Sequence, residues 1–199
     1  MSSFLGHALA GWAAYSLTGP RPPRATGFLW PLWLVFIALF PDLDYGVAAL
    51  QARRHDGLRI THSLAFALLL PLLTVAVLAL RGCRGADLRQ RGMQVLIAGL
   101  SHLLLDLLVG VTPAPLLWPL TDAEVRLPFG VLPSAGHPRL SNPLFYRNLL
   151  IEMGVLLPLA GIVQLARSNQ FRPPQKNALI VGMAAVSLLF MAWGYSLGR

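Results

Sequence analysis

The stretch Met93–Val111, MQVLIAGLSHLLLDLLVGV, decides how this chain is read. It is apolar along nearly its whole length, enough to cross a hydrocarbon core about 30 Å thick as a helix. Two residues are out of place in it, His102 and Asp106. An Asp near the centre of a membrane helix costs about 2.5–3.5 kcal/mol, while each Leu, Ile or Val returns roughly 0.3–0.6. The 11 such aliphatics here return on the order of 5 kcal/mol, so the segment inserts with little to spare. An ionisable residue kept at that cost marks a functional site by default and calls for a partner. Four residues apart, His102 and Asp106 lie one above the other on a single helical face. An imidazole and a carboxylate so placed can converge on one metal ion; the plain alternative is an interhelical His–Asp hydrogen bond.

The rest of the chain agrees with a membrane setting. Of 199 residues, 55% are hydrophobic and only 12% charged, about half the charge usual in soluble domains, and the mean hydropathy is +0.60. Disorder is excluded by the same numbers. The net charge of +8 could point to nucleic acid, but in so apolar a chain the cations read as flanks of membrane spans, and no nucleic-acid partner is expected. The single cysteine, Cys83, excludes an intramolecular disulfide framework.

Further apolar stretches run over 4–17, 27–50, 63–80, 149–166 and 178–197. The expected fold is therefore all-α, a polytopic membrane helical bundle of about five to six transmembrane helices in one integral domain, 1–199, with a long loop over about 112–148. The first stretch is short for a span and reads as a tucked-in helix or a re-entrant segment. The second is interrupted by Pro41-Asp42-Leu43-Asp44. Asp42 and Asp44, two apart, share no helical face, but an unwound backbone could aim both carboxylates into one cavity; the plainer reading is a helix stop with solvated acids. Arg59-Ile60-Thr61-His62-Ser63 opens the third stretch, and His7 sits in the first; singly, each histidine fits an interfacial or packing role as well as a ligand role.

Alternating spans change that balance. They bring the start of the first stretch, the end of the second, the start of the third and the C-terminal half of the fourth to one face. His7, Asp42, Asp44, His62, His102 and Asp106 then share a depth, with Glu152 on the same side. Such a set of imidazoles and carboxylates suits a divalent transition metal, zinc most simply. Nine cations on the opposite side against seven on this one weakly favour a cytoplasmic location for the opposite side. That places the site on the extracytoplasmic face.

These motifs in this order resemble the membrane-bound metal-dependent hydrolases, the LexA-regulated inner-membrane protein family. The matching segments are His7 to Gly11, Pro41 to Asp44, Arg59 to Ser63, Ser101 to Asp106 and Leu116 to Pro119, together about residues 5–120. One departure is Leu58, where that family carries His; His55 is the nearest substitute. The resemblance implies a bacterial inner-membrane location and a distant similarity to zinc-dependent phospholipases C and related nucleases. It further implies metal ligation by Asp42 or Asp44, His62, His102 and Asp106, with His7 on a second ion bridged by Asp106. The further ligands of those relatives have no clear match here; His137 and Glu152 are the nearest.

A zinc ion lowers the pKa of bound water toward 7. On this reading Asp42 or Asp44, whichever is off the metal, serves as general base, and Arg59 or Arg147 pairs with a phosphate or headgroup. The expected activity is hydrolysis of a phosphoester bond in a phospholipid or lipid-linked substrate, using one or two zinc ions. The alternatives are a non-catalytic protein that binds or transports metal ions or protons through the cluster, and a degenerate hydrolase kept for a structural role.

Overall fold

The computed structural model describes residues 2–17, 28–46, 58–134 and 141–197; Arg21, Arg24, His55 and His137 lie outside them. Six α-helices occur among the described residues: α1 (Phe4–Ser16), α2 (Leu29–Leu39), α3 (Leu64–Leu80), α4 (Gly85–Val109), α5 (Pro143–Arg167) and α6 (Pro173–Ser196). The all-α membrane bundle expected from the sequence is what forms. Three helices, α4 to α6, are long and apolar enough to cross a membrane, and α3 is a shorter apolar helix.

The local sequence sets where these helices stop. Pro41 lacks the amide hydrogen that would donate to the Ile37 carbonyl, and the Phe40 amide takes that carbonyl instead. The second apolar stretch is accordingly helical only to Leu39, and Phe40–Tyr45 forms a 3₁₀ turn. Its 11 residues make α2 roughly 16 Å long at the usual rise, and α1 is little longer. The two form an antiparallel hairpin, with Gly11 against Leu34 and Val35 and Ala14 beside Trp30 and Leu34. The chain enters and leaves this hairpin at the same face, so the sidedness of α3 to α6 does not depend on whether the hairpin reaches the other surface.

Three helices begin earlier than hydropathy alone indicates, α6 by the five residues from Pro173. α4 starts at Gly85, eight residues before the apolar run, and stops at Gly110, whose φ of 64° is the left-handed end usual for glycine. α5 starts at Pro143, where the Asn142 side chain accepts from the Leu144 amide at 3.0 Å and proline occupies the first helical position. The long loop is correspondingly shorter, and Arg147 belongs to a helix.

α4 is the axis of the bundle, packed against α1, α2 and α3, while α5 packs on α1 and α6. Small residues permit the close crossings. A Cβ on Gly99 would lie 2.6 Å from the Ala67 carbonyl oxygen, and one on Gly11 would lie 2.7 Å from that of Leu34. Polar pins lock the same layer: Trp30 donates to Gln94 at 2.7 Å, and Gln94 donates to the Tyr15 carbonyl at 3.1 Å. The loop after α4 is fastened down too. Ala114 and Val125 form an antiparallel bridge, and the Leu64 amide at the start of α3 donates to the Leu116 carbonyl at 2.9 Å.

Candidate metal centre

Four elements each bring one or two polar side chains to one end of the bundle. His7 comes from the second turn of α1, and Asp42 and Asp44 from the 3₁₀ turn after α2. His62 comes from the 3₁₀ turn Ile60–His62, held below α3 by Ser63, whose hydroxyl accepts from the Phe66 amide. His102 and Asp106 come from α4, and all six residues are buried. Asp42 and Asp44 are both buried on the 3₁₀ turn that follows Leu39.

The contacts define a compact ligand set. His62 Nε2 lies 3.3 Å from His102 Nε2, 3.2 Å from an Asp106 carboxylate oxygen and 3.6 Å from Asp42 Oδ1. His102 Nε2 lies 3.8 Å from Asp42 Oδ1 and 3.8 Å from Asp106 Oδ2. Tetrahedral zinc, with ligands at about 2.0–2.1 Å, holds its donor atoms about 3.3 Å apart. The spacings of His62, His102 and Asp42 come close to those of three ligands of one tetrahedral site, and His7, His102 and Asp106 form a second group that could hold an ion. His7 Nε2 lies beside it, 3.4 Å from Asp106 Oδ1 and 4.0 Å from Asp42 Oδ2, with its ring stacked on that of His102 at 3.9 Å.

Hydrogen bonding prepares the histidines for this role. His102 Nδ1 is 2.7 Å from the Ala38 carbonyl oxygen, an acceptor only, so Nδ1 carries the hydrogen and Nε2 presents its lone pair to the cluster. One lone pair serves one ion, so His102 cannot be shared by two. His62 Nδ1 meets the Thr61 hydroxyl at 3.0 Å. Burial opposes charge on His62, but hydrogen bonds to the Asp106 and Asp42 carboxylates outweigh it, and its pKa lies above the ordinary histidine value. Four side-chain atoms are buried with no hydrogen-bond partner: His7 Nδ1 and Nε2, Asp42 Oδ1 and Asp44 Oδ1. Orphaned polar atoms are rare and costly in a folded interior. His7 and Asp42 also belong to the groups that could hold a metal ion, and a cation there would satisfy them.

Arg59 is turned inward. Its Nε and Nη2 donate to Asp44 Oδ2 at 2.9 and 2.7 Å, Nη2 approaches Asp42 Oδ1 at 3.7 Å, and the guanidinium sits over the Tyr45 ring. One oxygen of Asp44 is thus held by Arg59 while the other stays unpartnered.

Sequence reading missed the second layer. The Ser2 amide donates to Asp106 Oδ1 at 2.9 Å, the Ser3 amide donates to Glu152 Oε1 at 2.9 Å, and the Ser2 hydroxyl donates to the same Glu152 oxygen. Glu152, fully buried on α5, thereby anchors residues 2 and 3 and receives the N-terminal end of α1, where a negative charge is favoured. Gly6 leaves room for it, since a Cβ there would collide with the Glu152 carboxylate. An acid inside an apolar helix was the available signal; its partners, a backbone amide and a hydroxyl 149 and 150 residues away, have no sequence signature.

The family model of the YdjM inner membrane proteins matches residues 1–197. The chain belongs to that family. The match extends through α5 and α6, well past the motif-bearing 5–120, and its description agrees with three membrane-length helices in assigning the chain to the inner membrane. Searches of curated proteins and of solved structures gave no match.

Proposed function

We propose that this YdjM-family chain is a membrane-embedded, metal-dependent hydrolase acting on a phosphoester bond of a phospholipid or lipid-linked substrate. The observation that carries the reading is the convergence of buried donors into two overlapping groups, Asp42 with His62 and His102, and His7 with His102 and Asp106, the ligand atoms of each within 4.8 Å of one another. Imidazole with carboxylate favours zinc over softer or harder ions. His62, His102, Asp42 and Asp106 would hold one ion, and His7 with a second oxygen of Asp106 would hold another. When bound, zinc supplies Lewis-acid activation of water and of a phosphoryl oxygen.

The chain's own groups supply the rest. The Ala38 carbonyl keeps His102 in the ligating tautomer. Arg59 fixes Asp44 through one oxygen and leaves the other to accept a proton from water, which makes Asp44 the general base of this proposal. The centre sits at one end of the bundle, where an amphiphile presents its headgroup. The surplus of cations at the other end supports an extracytoplasmic site. Clustering at one end also argues against a conduit, which needs polar groups through the full depth.

The test is elemental analysis of purified protein together with hydrolysis of phospholipids and generic phosphodiesters, wild type beside His102→Ala. Zinc and activity both lost in the variant, with helical content kept, is the expected result. Hydrolysis unchanged in a metal-free variant rejects the proposal, and metal bound without hydrolysis of any phosphodiester leaves ion binding alone.

A further inference from the structure

Beside the metal centre, on the same end of the bundle, lies a cavity of about 240 Å³. It is enclosed by the C-terminal ends of α4 and α6, the second turn of α5 and loop residues 130–134. Its walls are of two kinds. Val109 and Leu132 give an apolar side, continuous with the buried cluster that also holds Leu105 and Val155. Arg147, Asn148, Ser134 and Tyr195 give a polar one. Val109 follows Asp106 by three residues on α4, a rise of about 4.5 Å on the same helical face. The cavity is thus one helical turn from a carboxylate of the metal centre.

Arg147 is held in place without being neutralised. Its Nε and Nη2 donate to Asn148 Oδ1, each at 3.2 Å, and the Asn148 amide group donates to the Ser134 carbonyl at 2.8 Å. That second bond fixes which way the Asn148 amide points, and so fixes the guanidinium. The arginine–carboxylate pairs among the described residues belong to Arg59 and Arg91, not Arg147. Most of its five N–H donors remain for a ligand. A guanidinium pre-set by a neutral amide, in a cavity apolar on the other side, matches an anion carried on an apolar body. Tyr195 is 65% exposed and Leu197 lines the cavity at the end of α6, at the level where aromatic residues meet lipid headgroups.

We infer that this cavity binds the phosphoryl group of an amphiphile, the phosphate on Arg147 and the adjoining acyl-glycerol portion against Val109 and Leu132. Binding itself is independent of the hydrolase reading; that the cavity positions substrate for the metal centre rests on it.

The test is titration of purified full-length protein in neutral detergent with three probes: dihexanoyl phosphatidic acid, inorganic phosphate and dihexanoylglycerol. The thermal midpoint is followed in wild type, Arg147→Gln and Arg147→Lys. The phosphatidic acid is expected to stabilise the wild type saturably, about tenfold more weakly in Arg147→Gln and with less loss in Arg147→Lys. Dihexanoylglycerol is expected to do nothing. Inorganic phosphate binding as tightly as the lipid overturns the amphiphile assignment, and equal lipid binding by wild type and Arg147→Gln overturns the site. Unchanged metal content in Arg147→Gln shows that the centre is intact. Phosphatidic acid binding kept in Asp106→Ala shows that the cavity stands even where the metal reading fails.

Discussion

The first four helices and the last two solve the membrane problem in opposite ways. α1 to α4 bury histidines, carboxylates, Gln94 and Arg59 in their shared interior, while α6 buries only Ser187 and otherwise faces outward. In the first region nearly every buried polar side chain has a named partner, and the orphaned atoms belong to His7, Asp42 and Asp44. In the second, one buried hydroxyl bonds a carbonyl, Ser187 to Val155 at 3.0 Å, and Lys176 of α6 donates to the Ala166 carbonyl of α5 at 2.6 Å. Lipid offers no hydrogen-bond partners, so a helix facing it stays apolar. Polar groups are tolerated only where protein covers them on all sides. The contrast shows where the chemistry can be: the last two helices shield and support it. Glu152 is the exception, an acid of α5 that reaches across to anchor residues 2 and 3.

Substitutions can break or sharpen that contrast. The largest effect is expected from Asp106→Ala, which removes two donor oxygens shared by the histidines. Metal affinity should fall by more than about 100-fold, read by elemental analysis, with helical content by circular dichroism kept. Loss of helix together with metal would mean that the carboxylate holds the fold rather than an ion. Next comes Asp44→Asn. Breaking the closest Arg59 pair while its longer approach to Asp42 remains costs up to about 3 kcal/mol in unfolding free energy, and bound metal is retained because Asp44 is not in either candidate ligand group. A variant that loses metal but not stability would move Asp44 into the ligand shell.

Glu152→Gln tests the bridge between the two regions. Weakening the hold on residues 2 and 3 loosens Asp106 indirectly, so metal affinity is expected to drop about tenfold, far less than for a lost ligand. No change would confine Glu152 to helix packing. Acidification acts on the same centre. His62 holds its proton to higher pH than an ordinary histidine because Asp42 and Asp106 face it, and a proton there competes with the ion. Metal affinity, followed by competition with a chelator, should therefore weaken as pH falls from about 8 to about 6, and a flat profile would exclude His62 as a ligand. The smallest effect is expected at Ser187→Ala in the lipid-facing pair, about 0.6 kcal/mol with metal unchanged.

Much of this architecture is legible without coordinates. Apolar runs mark α3 to α6, and the ionisable residues inside or beside them mark His7, Asp42, Asp44, His62, His102 and Asp106, because charge is too expensive in lipid to be scattered there. The true helix starts at Gly85 and Pro143 are not legible from hydropathy. Their first turns are polar, and capping geometry decides them. Arg59 looks from sequence like a headgroup contact, yet it is turned to Asp44, since a buried carboxylate nearby outcompetes distant solvent.

What the sequence determined by itself, then, is the medium, the helical class and the cast of polar residues, each set by local composition and spacing. What only the tertiary structure decided is which atoms meet: the 3.3 Å approach of His62 to His102, the tautomer imposed by Ala38, the capture of Asp44 by Arg59 and the grip of Glu152 on residues 2 and 3. These contacts join segments separated by tens of residues. Their partners are chosen by helix crossings that small residues such as Gly11 and Gly99 permit, and no local pattern encodes that choice.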